Sequence, residues 1–281
     1  MDHYRLTEEI FNGFKSYLRE EEHGQATIKK YISDVRAFAV WVRDRNISKT
    51  VVTEWKEWLL ENGYAATTIN GKLSALNALF SYLGWNDCRA KFLRIQRSLF
   101  REDAKELTQE EYKRLLDAAY SMEKDRLALL LEIIFVTGIR ISEVKYVTLE
   151  AAKAGRAEIN LKGKIRVILI PEKLRIKVIQ YAKRQQITAG EIFLTRSGKR
   201  LSRGQIWREM KGLCKDADVE PTKVFPHNLR HLFATSFYKV CKDIVKLADV
   251  LGHSSVETTR IYLMTTGSEH EKQLNRLMMQ I

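Results

Sequence analysis

Glu158-Ile159-Asn160-Leu161-Lys162-Gly163-Lys164-Ile165-Arg166-Val167-Ile168-Leu169-Ile170 is the stretch at which the chain changes its period. Before and after it, apolar residues recur every three or four positions; within it they alternate. Two strands about a tight turn are therefore predicted, with lysines at the tip and Pro171 ending the second strand. A further short extended pair is expected at Ile192 to Leu194 and around Ser197-Gly198-Lys199. So little strand in a helical sequence gives a mainly α fold class with a small antiparallel β-sheet.

Upstream, the first hundred residues read as four helices joined by short turns. Leu6 to Glu22 carries Ile10, Phe11, Phe14, Tyr17 and Leu18 at helical spacing, with Thr7 as its N-cap. Thr27 to Arg45 repeats the pattern after Gly24. A shorter helix starts at Thr53 and ends at Asn62-Gly63. Thr67 or Thr68 caps a fourth, whose stripe runs from Ile69 to Leu83. Four helices with short connections make a small all-α bundle. From Lys91 to Lys105 the pattern loosens into mixed charge, although Phe92, Ile95 and Leu99 keep the spacing of a short helix. The expected division is a helical domain over 1–98, a linker over 99–106 and a second domain over 107–281. In the latter, Thr108 with Glu111 forms a capping-box pattern, and Leu127 to Val136 reads as a buried helix.

Downstream, Ser202 with Gln205 caps a helix, and helices resume after Pro221 and Pro226. Leu251-Gly252 reads as a helix stop, and Ser254 with Glu257 as the capping box of the next helix, which leaves His253 at a joint. Tyr262 follows about two turns later.

Composition narrows the class. The chain has 281 residues, 45% of them hydrophobic, which is enough for one large or two ordinary cores. The apolar run at 127–136 is about half what a bilayer crossing needs, and the N-terminus lacks a basic, apolar signal, so a cytoplasmic protein is expected. Cys88, Cys214 and Cys241 are widely separated and form no C-x-x-C pair, arguing against a disulfide framework or zinc site. The formal net charge is +13, and residues 153–215 carry 17 basic and 4 acidic side chains, equal to the whole excess. A field of one sign at that density fits a polyanionic partner, with nucleic acid ahead of membrane.

Three segments carry more polar chemistry than packing needs. Arg140 follows a glycine at the end of the most apolar helix. His227 and Arg230 share one face of a helix opened by Pro226. His253 and Tyr262 complete the set. His227 with His231 has the spacing of a metal pair, but no further ligand accompanies it and Arg230 would repel the cation. Two arginines, two histidines, a hairpin lysine and a tyrosine fit phosphoryl transfer without metal. Guanidinia hold phosphodiester oxygens, a tyrosine attacks with a histidine as base, and a lysine protonates the departing 5′-oxygen. No phosphate loop or carboxylate cluster calls for ATP or a divalent ion, so no cofactor is expected.

TGIRISEV at 137–144, HNLRHLFAT at 227–235 and LGHSSVETTRIY at 251–262 resemble the three signature boxes of the tyrosine recombinases, the phage-integrase and Xer-like family, in the family's order and spacing. Thr67 to Leu76 resembles the last helices of that family's N-terminal core-binding domain. The resemblance implies that Arg140 and Arg230 are the paired arginines, His227 the base, His253 a second phosphate donor, Tyr262 the nucleophile and Glu143 a supporting acid. It implies a proton-donating lysine on the hairpin, Lys162 or Lys164. It implies a four-helix SAM-like bundle joined to an α+β catalytic domain, a covalent 3′-phosphotyrosyl DNA intermediate, and a tetramer on two double-stranded DNA sites. Lys72, Arg166, Arg196, Lys199, Arg200, Arg203 and Arg208 are the expected DNA contacts. The tail 268–281, with Leu274, Leu277, Met278 and Ile281 on one face, is expected to dock on a neighbouring protomer. The alternatives are a type IB topoisomerase-like enzyme and a non-catalytic DNA-binding accessory factor.

Overall fold

The computed structural model describes residues 4–95, 106–161 and 164–262, together with residues 275 and 278. It divides into two compact units, Met1–Arg97 and Ser98–Ile281.

The first unit is built from four helices, α1 (Glu8–Glu20), α2 (Gln25–Val42), α3 (Lys49–Glu61) and α4 (Ala66–Tyr82). Each turns an apolar stripe inward, so that Phe14, Leu18, Val35, Phe38, Trp55, Leu73, Leu76 and Phe80 are fully buried in one core. Thr7 caps α1 by accepting from the Ile10 amide at 3.4 Å. Two expected starts move. Ser48, not Thr53, caps α3, accepting from the Val51 amide, while the Thr53 hydroxyl donates to the Lys49 carbonyl inside the helix. α4 begins at Ala66 without a side-chain cap. Tyr64 closes α3 on the Leu59 carbonyl, and Ala65 already accepts from Thr68 and Ile69, so the chain is helical before either threonine can act as a cap.

The short helix expected around Phe92 and Ile95 does not form over residues 91–95. Side-chain amides capture that backbone instead. Asn70 both donates to the Leu93 carbonyl, at 2.9 Å, and accepts from its amide, at 2.8 Å; Asn77 does the same with Ala90, at 3.0 and 3.1 Å. These bonds satisfy groups that a helix would have used. Leu99 lies outside the described residues.

The second unit is organised around α6 (Asp125–Thr137), buried along almost its whole length and packed by α5 (Gln109–Ser121), α8 (Glu172–Arg184), α9 (Arg203–Lys211) and α10 (Pro226–Cys241). The Thr108–Glu111 and Ser202–Gln205 capping boxes both form. A short α7 (Leu149–Ala154) leads into the hairpin, β1 (Arg156–Leu161) antiparallel to β2 (Lys164–Leu169). Alternation sorts its residues: Ala157, Ile159, Ile168 and Ile170 join the core, while Ile165, Val167 and Leu169 face outward. The extended pair expected near 192–199 is reduced to single bridges, Thr148 with Glu191 and Leu194 with Arg200.

α11 (Ile244–Leu251) ends at Gly252, whose φ of +62° is the left-handed stop that its sequence signals. α12 (Val256–Arg260) follows, but Ser255, not Ser254, caps it by accepting from the Glu257 amide at 3.2 Å. The His253 amide is still bonded to the Ala248 carbonyl, closing α11, and this pushes the new cap one residue on. Of the expected tail helix, residues 275 and 278 are helical and exposed, and the remainder lies outside the described residues. Cys88, Cys214 and Cys241 are all free thiols. Among the described residues no helix is long and apolar enough to cross a membrane.

Candidate functional site

Four segments of the second unit meet where α6 stops. Gly138 ends that helix at φ +61°, and a Cβ there would stand 2.3 Å from Phe233 of α10, so only glycine lets the chain turn against α10. The turn aims Arg140 back over a 3-10 segment, Ile141–Tyr146, that carries Glu143. Glu143 is 1% exposed. Its Oε1 accepts from Arg140 Nη1 at 2.8 Å, and its Oε2 accepts from the Arg140 amide at 2.9 Å and from Arg166 Nη1 at 3.3 Å. One buried carboxylate thus holds two guanidinia, which is what makes its burial tolerable. Arg140 is 39% exposed and also reaches the Gly252 carbonyl at 3.4 Å.

Arg230, 4% exposed, comes from the second turn of α10. Its Nη1 donates to the Gly138 carbonyl, and its Nη2 donates to the Leu251 carbonyl at 2.7 Å and meets His253 Nε2 at 3.0 Å. One guanidinium therefore ties the end of α6 to the α11–α12 joint. Burial and then Arg140 pull its pKa down, while Tyr262 and Glu143 act in the opposite direction.

A guanidinium has no acceptor, so His253 Nε2 must accept from Arg230 and the ring proton must sit on Nδ1. Nδ1 lies 2.9 Å from Thr259 Oγ1, which takes that proton as acceptor. Burial first, then Arg230 and Arg140, push the His253 pKa down to about 4, so the ring is neutral at pH 7. His227 is also lowered, by burial and then Arg230, which favours its neutral form.

Tyr262 is 4% exposed, packed on Phe233, Leu247 and Leu251. Three imidazoles surround its ring: His231 at 5.1 Å between centroids, His253 stacked at 5.9 Å and 13°, and His227 at 6.4 Å. In the sequence His231 stands out only as half of a metal pair, and Thr259 does not stand out at all. The i, i+4 spacing of His231 from His227 is a signal that it shares their face; nothing local marks Thr259.

Lys162 lies outside the described residues. Lys164 opens β2, opposite Leu161. Arg196, Lys199, Arg200, Arg203 and Arg208 are exposed, with Arg200 paired to Glu191, whereas Lys72 is partly buried against Asp34 at 3.3 Å. Arg166 is in the cluster just described, beside Glu143 and the Leu251 carbonyl.

Residues 105–269 match the phage integrase family, and residues 11–87 match the phage integrase N-terminal SAM-like domain. The chain belongs to the phage integrase family. Among curated members, it is 32% identical to the tyrosine recombinase XerA of Thermococcus kodakarensis, over 96% of this chain and 98% of that one. It is 28% identical to the tyrosine recombinase XerD of Vibrio cholerae, over 89% and 88%. Among solved structures of the family fold, a lambda integrase dimer bound to a COC′ core site superposes with a TM-score of 0.72 at 18% identity, over 91% of this chain and 94% of that one. An XerA recombinase gives 0.54 at 23%, over 95% and 97%. In this phage integrase chain the three signature boxes are brought into one cluster by Arg230, which bonds to the first and third from within the second.

Proposed function

We propose that this chain is a site-specific DNA recombinase that cleaves and rejoins DNA through Tyr262. The observation that carries this reading is the enclosure of Tyr262 by His227, His231 and His253 beside the Arg230 guanidinium. The Tyr262 hydroxyl attacks the scissile phosphorus, giving its proton to neutral His227. The bond from phosphorus to the 5′-oxygen breaks, leaving a 3′-phosphotyrosyl strand. Arg140 and Arg230 hold the non-bridging oxygens and neutralise the charge that builds in the transition state. His253 joins them as a donor once the phosphate draws Arg230 off its Nε2 and the ring proton shifts from Nδ1 to Nε2, with the Thr259 hydroxyl then donating to Nδ1. The hairpin lysine, Lys162 or Lys164, protonates the leaving 5′-oxygen. A 5′-hydroxyl from a second duplex then attacks the phosphotyrosine, and Tyr262 leaves.

Such exchange needs two duplexes held together. One lambda integrase neighbour is a tetramer on a Holliday junction, and the same assembly, in the cytoplasm, suits this chain. The first unit would add DNA contacts of its own, and residues 268–281 would dock on a neighbouring protomer. Arg196, Lys199, Arg200, Arg203 and Arg208 supply exposed charge for the backbone. The experiment is strand exchange between two duplexes bearing the site that the protein protects from nuclease. Joined products support recombination. Relaxation of a supercoiled plasmid without joined products would move the assignment to a topoisomerase-like enzyme, and binding without either would leave an accessory factor.

A further inference from the structure

Arg166 sits where a cation is costly. It lies on β2 on the same face as Ile168 and Ile170, its side chain 11% exposed. Burial outweighs the help of Glu143, and Arg230 and Arg140 repel it, so its pKa is pulled down to about 10. Two of its nitrogens, Nε and Nη2, are buried without a protein partner. A methionine or leucine would fill this position with no such penalty, because unpaired buried polar groups cost stability and apolar replacements of similar size do not. Packing therefore does not account for the arginine.

Its one bonded nitrogen does. Nη1 donates to the Leu251 carbonyl at 2.8 Å and to Glu143 Oε2 at 3.3 Å. The Leu251 carbonyl is also the acceptor of Arg230 Nη2. Arg166 thus pins the carbonyl that seats Arg230, and shares the carboxylate that seats Arg140. The neighbouring residue is shaped for it: a Cβ on Gly252 would stand 2.3 Å from Arg166 Cδ.

Resting on the recombinase reading, we infer that Arg166 is a positioning residue for the reaction. It locks the α11–α12 joint and Glu143 so that Arg140, Arg230 and His253 converge on one phosphate, and it makes no DNA contact of its own. Because a single nitrogen makes both bonds, a lysine can replace it in part, whereas a methionine cannot.

The test compares wild type, Arg166→Met, Arg166→Lys and Gly252→Ala on a nicked suicide duplex carrying the nuclease-protected site. Arg166→Met is expected to stay folded, with a melting temperature lowered by the loss of one of the two guanidinia that Glu143 holds, and to bind the duplex within about threefold of wild type, since affinity is spread over many backbone contacts outside this cluster. Its single-turnover rate of covalent adduct formation should fall about 100-fold, the scale of an ångström misplacement at a reacting centre. Arg166→Lys should recover at least about a tenth of the wild-type rate, and Gly252→Ala should resemble Arg166→Met because its methyl group displaces the guanidinium. Parallel losses of binding and rate in Arg166→Met, with no recovery in Arg166→Lys, would make Arg166 a phosphate ligand and overturn the inference; so would an unchanged adduct rate. If Arg166→Met fails to fold, Arg166→Lys decides: a slowed adduct rate with wild-type duplex binding supports the inference, and parallel losses of binding and rate, or an unchanged rate, overturn it. Absence of adduct in wild type would instead count against the recombinase reading.

Discussion

Arg230 Nη2 lies 3.0 Å from His253 Nε2, and this contact makes the imidazole an acceptor toward the centre of the site. The ring therefore starts neutral, with its proton committed to Thr259. It can donate to a phosphate only after Arg230 turns to that phosphate itself.

The lowered pKa of His253 has a signed consequence for stability. The native ring titrates at about 4, below the ordinary 6.5 that it recovers on unfolding. Between these values the unfolded chain binds the proton more readily, so this group's contribution to stability is intact above pH 6.5 and drains away as the pH falls toward 4. Urea midpoints measured across that window should fall more steeply for wild type than for His253→Gln. Equal slopes would show that His253 does not titrate as described.

Glu143 is the counter-charge of the cluster. Glu143→Gln leaves the guanidinia of Arg140 and Arg166 facing a neutral amide, and removing one partner of a buried ion pair costs about 3–5 kcal/mol. Chemical denaturation should show a destabilisation of that order, with slower adduct formation by the molecules that remain folded.

Gly138→Ala tests the approach of α6 to α10. The new methyl group meets Phe233 at 2.3 Å in a left-handed backbone, and the Gly138 carbonyl is an anchor of Arg230. Strain and overpacking together predict a destabilisation of about 2–4 kcal/mol in denaturant melts. The same change at Gly190, also left-handed but with nothing within 4 Å, should cost less.

Much of this architecture is legible in local pattern. Helical spacing locates all four helices of the first unit, and alternation from Glu158 to Ile170 locates the hairpin. What is misplaced depends on partners distant in sequence. Asn70 and Asn77 strip residues 90–93 of helix-forming groups from 23 and 13 positions away, and no local signal announces that. In the site, Arg140, His227, Arg230, His253 and Tyr262 stand out because polar groups interrupt apolar segments. Arg166 is readable too, since its period-2 partners Ile168 and Ile170 are core residues. Its charge and its place in a basic stretch point instead to the surface. Thr259 is a partner that only the folded joint brings to His253.

The exposed arginines divide from the buried ones in how salt acts on them. Removing one phosphate-binding cation should shallow the slope of log K against log salt by about 1. Arg203→Gln and Arg208→Gln are expected to weaken binding and reduce that slope, while Arg166→Met leaves it alone. Filter binding between low and moderate salt measures this, and an unchanged slope in Arg203→Gln would remove it from the interface.

Attack by Tyr262 on the phosphodiester is tested most directly by peptide mapping of the denaturation-resistant adduct formed on a suicide duplex labelled on the strand that keeps its 3′-phosphate. A phosphotyrosyl bond at Tyr262 is expected, and no adduct with Tyr262→Phe although the variant still binds the duplex. A labelled adduct that persists in Tyr262→Phe, or that maps to another residue, would contradict it.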